Sequence, residues 1–380
     1  MNCRIEKMAQ GGQGLARVDG KVVFIKGALP GELVSFEYTR QRKDFSEARV
    51  LEILEAHPGR VKPACAHYGR CGGCNMQHAS IALQRELKRQ VVEDHFRRMA
   101  KCPLPENWPL HGGSPWGYRQ RVRFVRGHSH WGFRQASSHD VEPIRNCPVL
   151  CPALQNALPK LPAMPRESEI QAFAPSAEAA PVLWQKFMSD AQVQSVQVPL
   201  NGRLLSADAR VFFQSNLEQL PTLLNAVLAQ VALCAKHDFA VDLFSGVGVF
   251  AAFLQDHFRK VLAVEWNPGC LLHAKKNLQE RCEFYSQSAE DYLHSKTPGS
   301  IDLLVVDPPR AGLSPEVRKA LLQAKPTRLV YVSCDPVTLA RDVGEFIRNG
   351  WSLHHAEGFD FYPQTEHMEM MVVLTPAKPS

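Results

Sequence analysis

No part of the 380 residues is apolar for anything near the roughly 20 residues that a membrane-spanning helix takes. The opening stretch, MNCRIEKMAQGGQG, lacks the apolar core of a secretory signal. Both absences point to a cytoplasmic protein with no membrane partner. No internal repeat is visible, which sets aside solenoids and propellers. Neither sign of charge dominates: 44 Lys and Arg face 38 Asp and Glu, a net charge of +6. That mild basic bias permits a nucleic-acid partner without demanding one. Apolar content of 45% and charged content of 22% are ordinary for a globular protein, and the length allows two or three domains.

Cysteine, by contrast, is plentiful, with eleven in the chain. In a reducing compartment a disulfide framework is not expected, so any cluster raises the question of metal binding or catalysis. Cys65, Cys71 and Cys74 form such a cluster, in CAHYGRCGGCNMQH. A closed site needs a fourth thiolate, and Cys147 and Cys151, in IRNCPVLCP, are the candidates. Four thiolates suit zinc or an iron–sulfur cluster, and spacing does not choose between them. Cys3, Cys102, Cys151, Cys234, Cys270 and Cys282 are scattered and read as small buried apolar residues, Cys151 being also a candidate for the fourth ligand.

The chain divides into three by pattern: residues 1–58, 59–205 and 206–380. The first part reads as short strands broken by Gly and Pro, either a compact β-barrel or a sheet extension of a larger domain. The second carries the cysteines, a helical stretch IALQRELKRQVVEDHFRRM and a β-rich region from Tyr118 to about Val211. Its segment LPKLPAMPRESEIQAFAPSAEAAPV reads as irregular loops. From Tyr118 to Gln135 there is no Asp or Glu, while Arg119, Arg121, Arg123, Arg126 and Arg134 alternate with Tyr118, Phe124, Trp131 and Phe133. Arginines grip phosphate and aromatics stack on unpaired bases, although a sheet with one solvated basic face has the same composition. The third part alternates apolar strands and helices: DFAVDLF, KVLAVEW, IDLLVVD, TRLVYVS and a terminal MEMMVVLTP. That alternation predicts a doubly wound α/β sheet.

The first of these strands ends in Asp242-Leu243-Phe244-Ser245-Gly246-Val247-Gly248, where Gly246 lets the backbone turn tightly against a ligand. The glycines alone do not exclude NAD. Asp242 beside the turn would repel a pyrophosphate but suits the cationic end of S-adenosylmethionine (SAM). Glu265, ending the second strand, can accept both hydroxyls of a ribose. Together they favour SAM. Asp307, in D-P-P-R, stands where doubly wound sheets bind ligands. An amino-methyltransferase would place an aromatic residue after D-P-P, and here Arg310 follows.

Cys334 ends a strand in VYVSCDPVTLARD. A pyrimidine C5 is a poor nucleophile. Attack of a thiolate at C6 delivers charge to C5, which can then take a methyl group. The adduct must afterwards lose its C5 proton to a base. Glu369, in TEHMEM, is a candidate. Thr365 reads as the start of the terminal strand, and alternation puts Thr365, His367 and Glu369 on one face and Glu366 on the other.

DLFSGVG, VVDPPRAGL, VSCDPVTLARD and QTEHMEMMVVL, in this order and spacing, resemble the family of RNA 5-methyluridine methyltransferases. That resemblance implies a Rossmann-like class I SAM-dependent methyltransferase domain, with Cys334 as nucleophile and Glu369 as proton-abstracting base. It implies cofactor contacts from Gln214, in VFFQSN, and from Phe244, Gly246, Glu265 and Asp307. Val249 departs from the pattern, since relatives often carry an Asn there. CGGCNMQH with the distant N-C-P cysteine is similar to the family's [4Fe-4S] motif, which implies Cys65, Cys71, Cys74 and Cys147 as ligands within a β-rich central iron–sulfur domain. GQGLARVDGKVVFIKGALPGE resembles a TRAM domain, an OB-like barrel joined to RNA-modifying enzymes. The implied partner is RNA, with large-subunit 23S ribosomal RNA ahead of transfer RNA and the target uridine unpaired or flipped out. A monomer is expected. The alternatives are cytosine-C5 or amino methylation, and a non-catalytic RNA-binding factor.

Overall fold

The computed structural model describes residues 1–166, 168–186, 188–189, 192–295 and 300–377. Six strands come first: β1 (Asn2–Arg4), β2 (Lys7–Ala9), β3 (Gln13–Val18), β4 (Lys21–Lys26), β5 (Leu33–Gln41) and β6 (Phe45–Glu55). They pair in the order β1-β5-β6-β4-β3-β2. Alternation along β4 and β5 turns Val23, Ile25, Val34 and Phe36 inward, where with Ile5 they make a core of their own. This region is therefore a separate β unit and not an extension of the large sheet.

Helix α1 (Ile81–His95) starts at Ser80, whose side chain accepts from the Leu83 N–H. After β7 (Leu110–Gly112) come β8 (Arg121–Arg126), β9 (Trp131–Arg134), β10 (Val141–Pro143), α2 (Pro152–Ala157), β11 (Glu169–Phe173) and β12 (Val182–Trp184). These strands, β7 excepted, build an antiparallel sheet ordered β10-β9-β8-β11-β12. Its core of Phe124, Leu154, Ile170 and Ala172 packs against Cys71 and Cys147. The Pro- and Ala-rich stretch expected to be loops thus contains β11, which pairs with both β8 and β12. Composition misled because EIQAF is short, yet Ile170, Ala172 and Phe173 are buried there. Residue 167 of that stretch lies outside the described residues.

The hairpin of β13 (Val196–Leu200) and β14 (Arg203–Ala207) leads into the third region. There α3 (Leu220–Ala229), β15 (Phe239–Leu243), α4 (Ala251–Leu254), β16 (Lys260–Glu265), α5 (Pro268–Asn277), β17 (Cys282–Ser286), α6 (Ala289–Ser295), β18 (Leu303–Val306), α7 (Pro315–Ala324), β19 (Leu329–Ser333), α8 (Pro336–Arg348), β20 (Trp351–Asp360) and β21 (Glu369–Pro376) follow one another. The sheet has eight strands in the order β17-β16-β15-β18-β19-β21-β20-β7. All neighbours are parallel except β21, which runs against both β19 and β20. This is the α/β sheet that the alternation of strands and helices predicted, with β7 added at one edge. Apolar cores cover both faces, so β18 and β19 read as unbroken apolar runs. Strand order reverses between β15 and β18, and the crevice beyond their carboxyl ends is where such sheets bind ligands.

Sequence pattern missed β7, β17 and β20. The terminal strand also begins later than expected. Thr365 to Met368 lie in the turn before β21, so the alternation argument that grouped Thr365, His367 and Glu369 on one strand face does not hold. Among the described residues no helix is long and apolar enough to cross a membrane.

Candidate active site

At the carboxyl end of β15 the chain turns through Phe244 at φ 62° and Gly246 at φ 55°. Glycine takes that left-handed conformation freely, whereas Phe244 holds it at a cost of about 1–2 kcal/mol. The turn is pinned by the second strand. The Ser245 N–H donates to Val264 O (3.0 Å), and the Gly246 N–H donates to Glu265 Oε2 (3.0 Å). The other Glu265 oxygen accepts from the Asn267 N–H at 2.8 Å, and Asn267 in turn caps α5.

Unpartnered buried polar atoms gather at this end of the sheet: Gln214 Oε1, Asp242 Oδ1, Ser245 Oγ, Gln287 Nε2 and Glu369 Oε1. Buried polar groups are rarely left unbonded, so such a gathering marks a place built for a polar ligand. Asp242 does not present an open carboxylate as the sequence suggested. It is fully buried, accepts from the Ala251 N–H at 3.0 Å, and burial pushes it up to about 8. Burial likewise pushes Asp307 up to about 7.

The loop that carries Gln214 is anchored from below. The His273 ring bridges Ser206 Oγ (2.9 Å) and Asp208 Oδ2 (3.0 Å), all three side chains being buried. The trio resembles a nucleophilic triad in composition. Its depth makes it a clamp between β14 and α5.

Cys334 directly follows β19, and Glu369 opens β21. Ser333 pairs with Met370 across these strands, so one step further Cys334 and Glu369 stand side by side. Burial, then the charges of Glu369 and Asp307, push the Cys334 thiol up to about 12, and Arg310 opposes them by charge and hydrogen bond. Burial and Asp307 hold Glu369 well above the usual carboxylate range, again against Arg310. Arg310 Nη2 also donates to His367 Nε2 at 3.1 Å, and burial lowers the His367 pKa. Asp335, next to Cys334, caps α8 by accepting from the Val337 and Thr338 N–H groups at 2.9 Å each. The arrangement thus brings one thiol, two carboxyl groups and one guanidinium into mutual electrostatic range at the sheet end. Arg310 and Gln287 were not singled out from sequence for this site, although the D-P-P-R context carried a signal for the first.

Cys65, Cys71, Cys74 and Cys147 all border one cavity of about 390 Å³, which Cys151 does not line. Cys151 is instead buried in the central core. Two backbone donors already point at sulfur: His67 N–H to Cys65 Sγ and Gly73 N–H to Cys71 Sγ, both 3.4 Å. Burial raises the Cys71 thiol, and pushes Cys74 up to about 12 and Cys147 up to about 11. Among the described residues no three His, Cys, Asp or Glu stand close enough to hold one metal ion. A single tetrahedral zinc with about 2.3 Å bonds would draw its sulfurs to within about 3.8 Å of one another.

The Arg- and aromatic-rich strands differ from expectation. Tyr118, Phe124 and Trp131 are core residues, so they are not stacking platforms. Arg121 is spent on Ala209 O (2.9 Å) and Gln171 Oε1 (3.2 Å). Arg119, Arg123 and Arg134 remain on the rim of the cysteine cavity.

Comparison with known proteins follows the same lines. Residues 297–377 match the family model described as tRNA (Uracil-5-)-methyltransferase, and residues 1–51 match the TRAM domain. A protein of Nitrosococcus oceani named 23S rRNA (uracil(1939)-C(5))-methyltransferase RlmD is 33% identical, over 97% of this chain and 95% of its own. The protein of the same name in Chromohalobacter salexigens is 32% identical over 98% of this chain and 88% of its own. In fold, the chain resembles the Pyrococcus abyssi tRNA (uracil-54, C5)-methyltransferase, solved with S-adenosyl-L-homocysteine. The TM-score is 0.72 at 20% identity, covering 99% of this chain and all of that one.

Proposed function

The chain belongs to the RNA (uracil-5-)-methyltransferase family, and on that premise we propose that it methylates C5 of one uridine in 23S ribosomal RNA in the cytoplasm, as a monomer. The observation that carries this reading is the Ser333–Met370 pair across β19 and β21, which puts the next residues, Cys334 and Glu369, beside each other at the ligand-binding end of the sheet. SAM is the methyl donor. Gln214, Phe244, Gly246, Glu265 and Asp307 would hold it, and the unbonded Gln214, Ser245 and Gln287 atoms supply further polar partners. The site holds more acid than base, with Arg310 the cation acting on both Cys334 and Glu369. A cationic donor therefore fits, and its charge favours ionisation of the neighbouring thiol and carboxyls.

In the proposed reaction the Cys334 thiolate bonds to C6, and the C5=C6 electron pair moves to C5. C5 then takes the methyl group, and S-adenosylhomocysteine leaves with the electron pair of the broken bond. The Glu369 carboxylate removes the C5 proton, the C5=C6 bond reforms and the Cys334 thiolate departs. Both faces of the base must be reachable, so the uridine is unpaired or flipped out of its stack.

The four-cysteine cavity fits a [4Fe-4S] cluster, with Cys65, Cys71, Cys74 and Cys147 as ligands. Its size and the N–H groups aimed at sulfur support this assignment. Bound there, the cluster would tie the 65–74 loop to the 147 turn beside the arginine rim. The division into 1–58, 59–205 and 206–380 then reads as a TRAM barrel, an iron–sulfur RNA-binding part and a catalytic part. The test is transfer of labelled methyl from SAM to bulk RNA from a strain lacking the gene, with nucleosides identified after fractionation. Label in 5-methyluridine of the large-subunit fraction supports the proposal. Label in transfer RNA moves the substrate, and label in another nucleoside removes the uracil assignment.

A further inference from the structure

Glu369 is preceded by a loop, Phe361 to Met368, whose anchors come from far away in the chain. Gln364 lies at its centre, buried, with φ 71°. That left-handed backbone is strained for a residue with a side chain, so the surroundings must hold it. They do so from the cysteine segment and α1. Gln364 O accepts from the Asn75 N–H (3.1 Å) and the Met76 N–H (3.0 Å). The Gln364 N–H donates to Gln84 Oε1 at 2.8 Å, and Gln84 Nε2 donates back to Gln364 Oε1 at 3.0 Å.

Among these anchors Asn75 has a particular place. Its Oδ1 accepts from the Glu366 N–H at 3.1 Å, three residues before Glu369. Its Nδ2 donates to Gly11 O at 3.0 Å, in the turn between β2 and β3 of the N-terminal sheet. Its own N–H is the one on Gln364, and its neighbour is Cys74. One side chain therefore joins the N-terminal sheet, the cysteine segment and the loop that delivers Glu369.

We propose that Asn75 is a positioning residue for the removal of the C5 proton: by clamping the Glu366 backbone it sets where the Glu369 carboxylate stands. This rests on the role of Glu369 proposed above. The cofactor side makes no use of Asn75. Its loss should therefore slow turnover without weakening the binding of SAM.

The experiment compares Asn75→Ala, Asn75→Ser and Asn75→Asp in the full-length protein. Asp keeps an acceptor for the Glu366 N–H, Ser is too short to reach it, and Ala has none. The readouts are kcat and KM on large-subunit RNA, the affinity for S-adenosylhomocysteine, and the fraction of protein trapped on RNA in a denaturing gel. The Ala and Ser variants are expected to lose about 10- to 100-fold in kcat, the scale of effect that a displaced catalytic group produces. Their S-adenosylhomocysteine affinity stays at the wild-type level and the trapped fraction rises. Asp recovers kcat to within about threefold of wild type, as expected where the backbone hydrogen bond is kept. Unchanged kcat in Ala and Ser overturns the proposal, as does a fall in cofactor affinity that matches the fall in kcat. If Ala does not fold, the Ser and Asp pair decides by the same readouts. Glu369→Gln is run alongside. If it traps no RNA, the assignment of Glu369 as the base fails, while the kcat-against-affinity split still decides whether Asn75 positions the loop.

Discussion

On the proposed cofactor side of the site, the polar contacts of Asp242, Glu265, His273 and Asp335 stay within the third part of the chain, His273 reaching back to Ser206 and Asp208. Glu265 bonds Asn267, Asp242 bonds Ala251, and Asp335 caps the helix that starts beside it. On the side where Glu369 stands, they reach across the chain, from Gln84 to Gln364, from Lys88 to Asp360 and from Asn75 to Glu366. The first side can be assembled within residues 206–380 alone, from the end of β14 and the strand–helix units that follow it. The second exists only once α1 and the cysteine segment have docked on the sheet. A methyl donor could thus be bound before the base is in place, and the chemistry would wait for the whole molecule.

The largest expected effect separates the two sides by chemistry. Cys334→Ala should abolish methylation of RNA while S-adenosylhomocysteine binds as in wild type, measured by calorimetry. A parallel loss of binding would mean that the sides are not independent. Next comes the long-range support. Lys88 is fully buried, its Nζ 2.6 Å from Asp360 Oδ1 and 3.1 Å from Tyr362 O. Lys88→Met leaves Asp360 buried with Arg85 alone, and removing one partner of a buried pair costs about 3–5 kcal/mol. Denaturant unfolding should show that loss.

The cofactor side should respond to pH. Asp242 is held up to about 8, against 3.8 when exposed. Between those values the unfolded chain releases the proton and the folded chain keeps it, so stability falls as pH rises from about 4 to about 8, by up to about 1.4 kcal/mol per unit. Asp242→Asn should remove its share of that slope in thermal melts, leaving the shares of Asp307 and Glu369. The smallest effect belongs to Gly246→Ala. At φ 55° with open space around the position, only the left-handed backbone of an L residue is at stake, about 1–2 kcal/mol. Denaturant unfolding should show that loss, while S-adenosylhomocysteine affinity stays near wild type because the strain is present with and without the cofactor.

The same contrast explains what could be read in advance. The cofactor side was legible because strand, glycine turn, acidic strand end and helix cap follow one another directly, as in Phe239 to Gly248 and Lys260 to Pro268. Cys334 was legible for the same reason, standing at the end of an apolar strand. Glu369 was singled out by motif, but the strand geometry offered for it was wrong, because the turn that holds Thr365 to Met368 is fixed by Asn75, Gln84 and Lys88. Nothing local announces such partners. The aromatics of β8 and β9 misled in the opposite direction. Between arginines they looked like a stacking surface, yet a strand buried on one face has the same alternation.

The central claim is that Cys334 attacks and Glu369 releases. Glu369→Gln, incubated with methyl-labelled SAM and large-subunit RNA and run on a denaturing gel, tests it most directly. The account predicts a slow-moving protein–RNA species carrying the label, and little free 5-methyluridine. Free 5-methyluridine at the wild-type rate, or no labelled adduct at all from a folded, cofactor-binding protein, would contradict it.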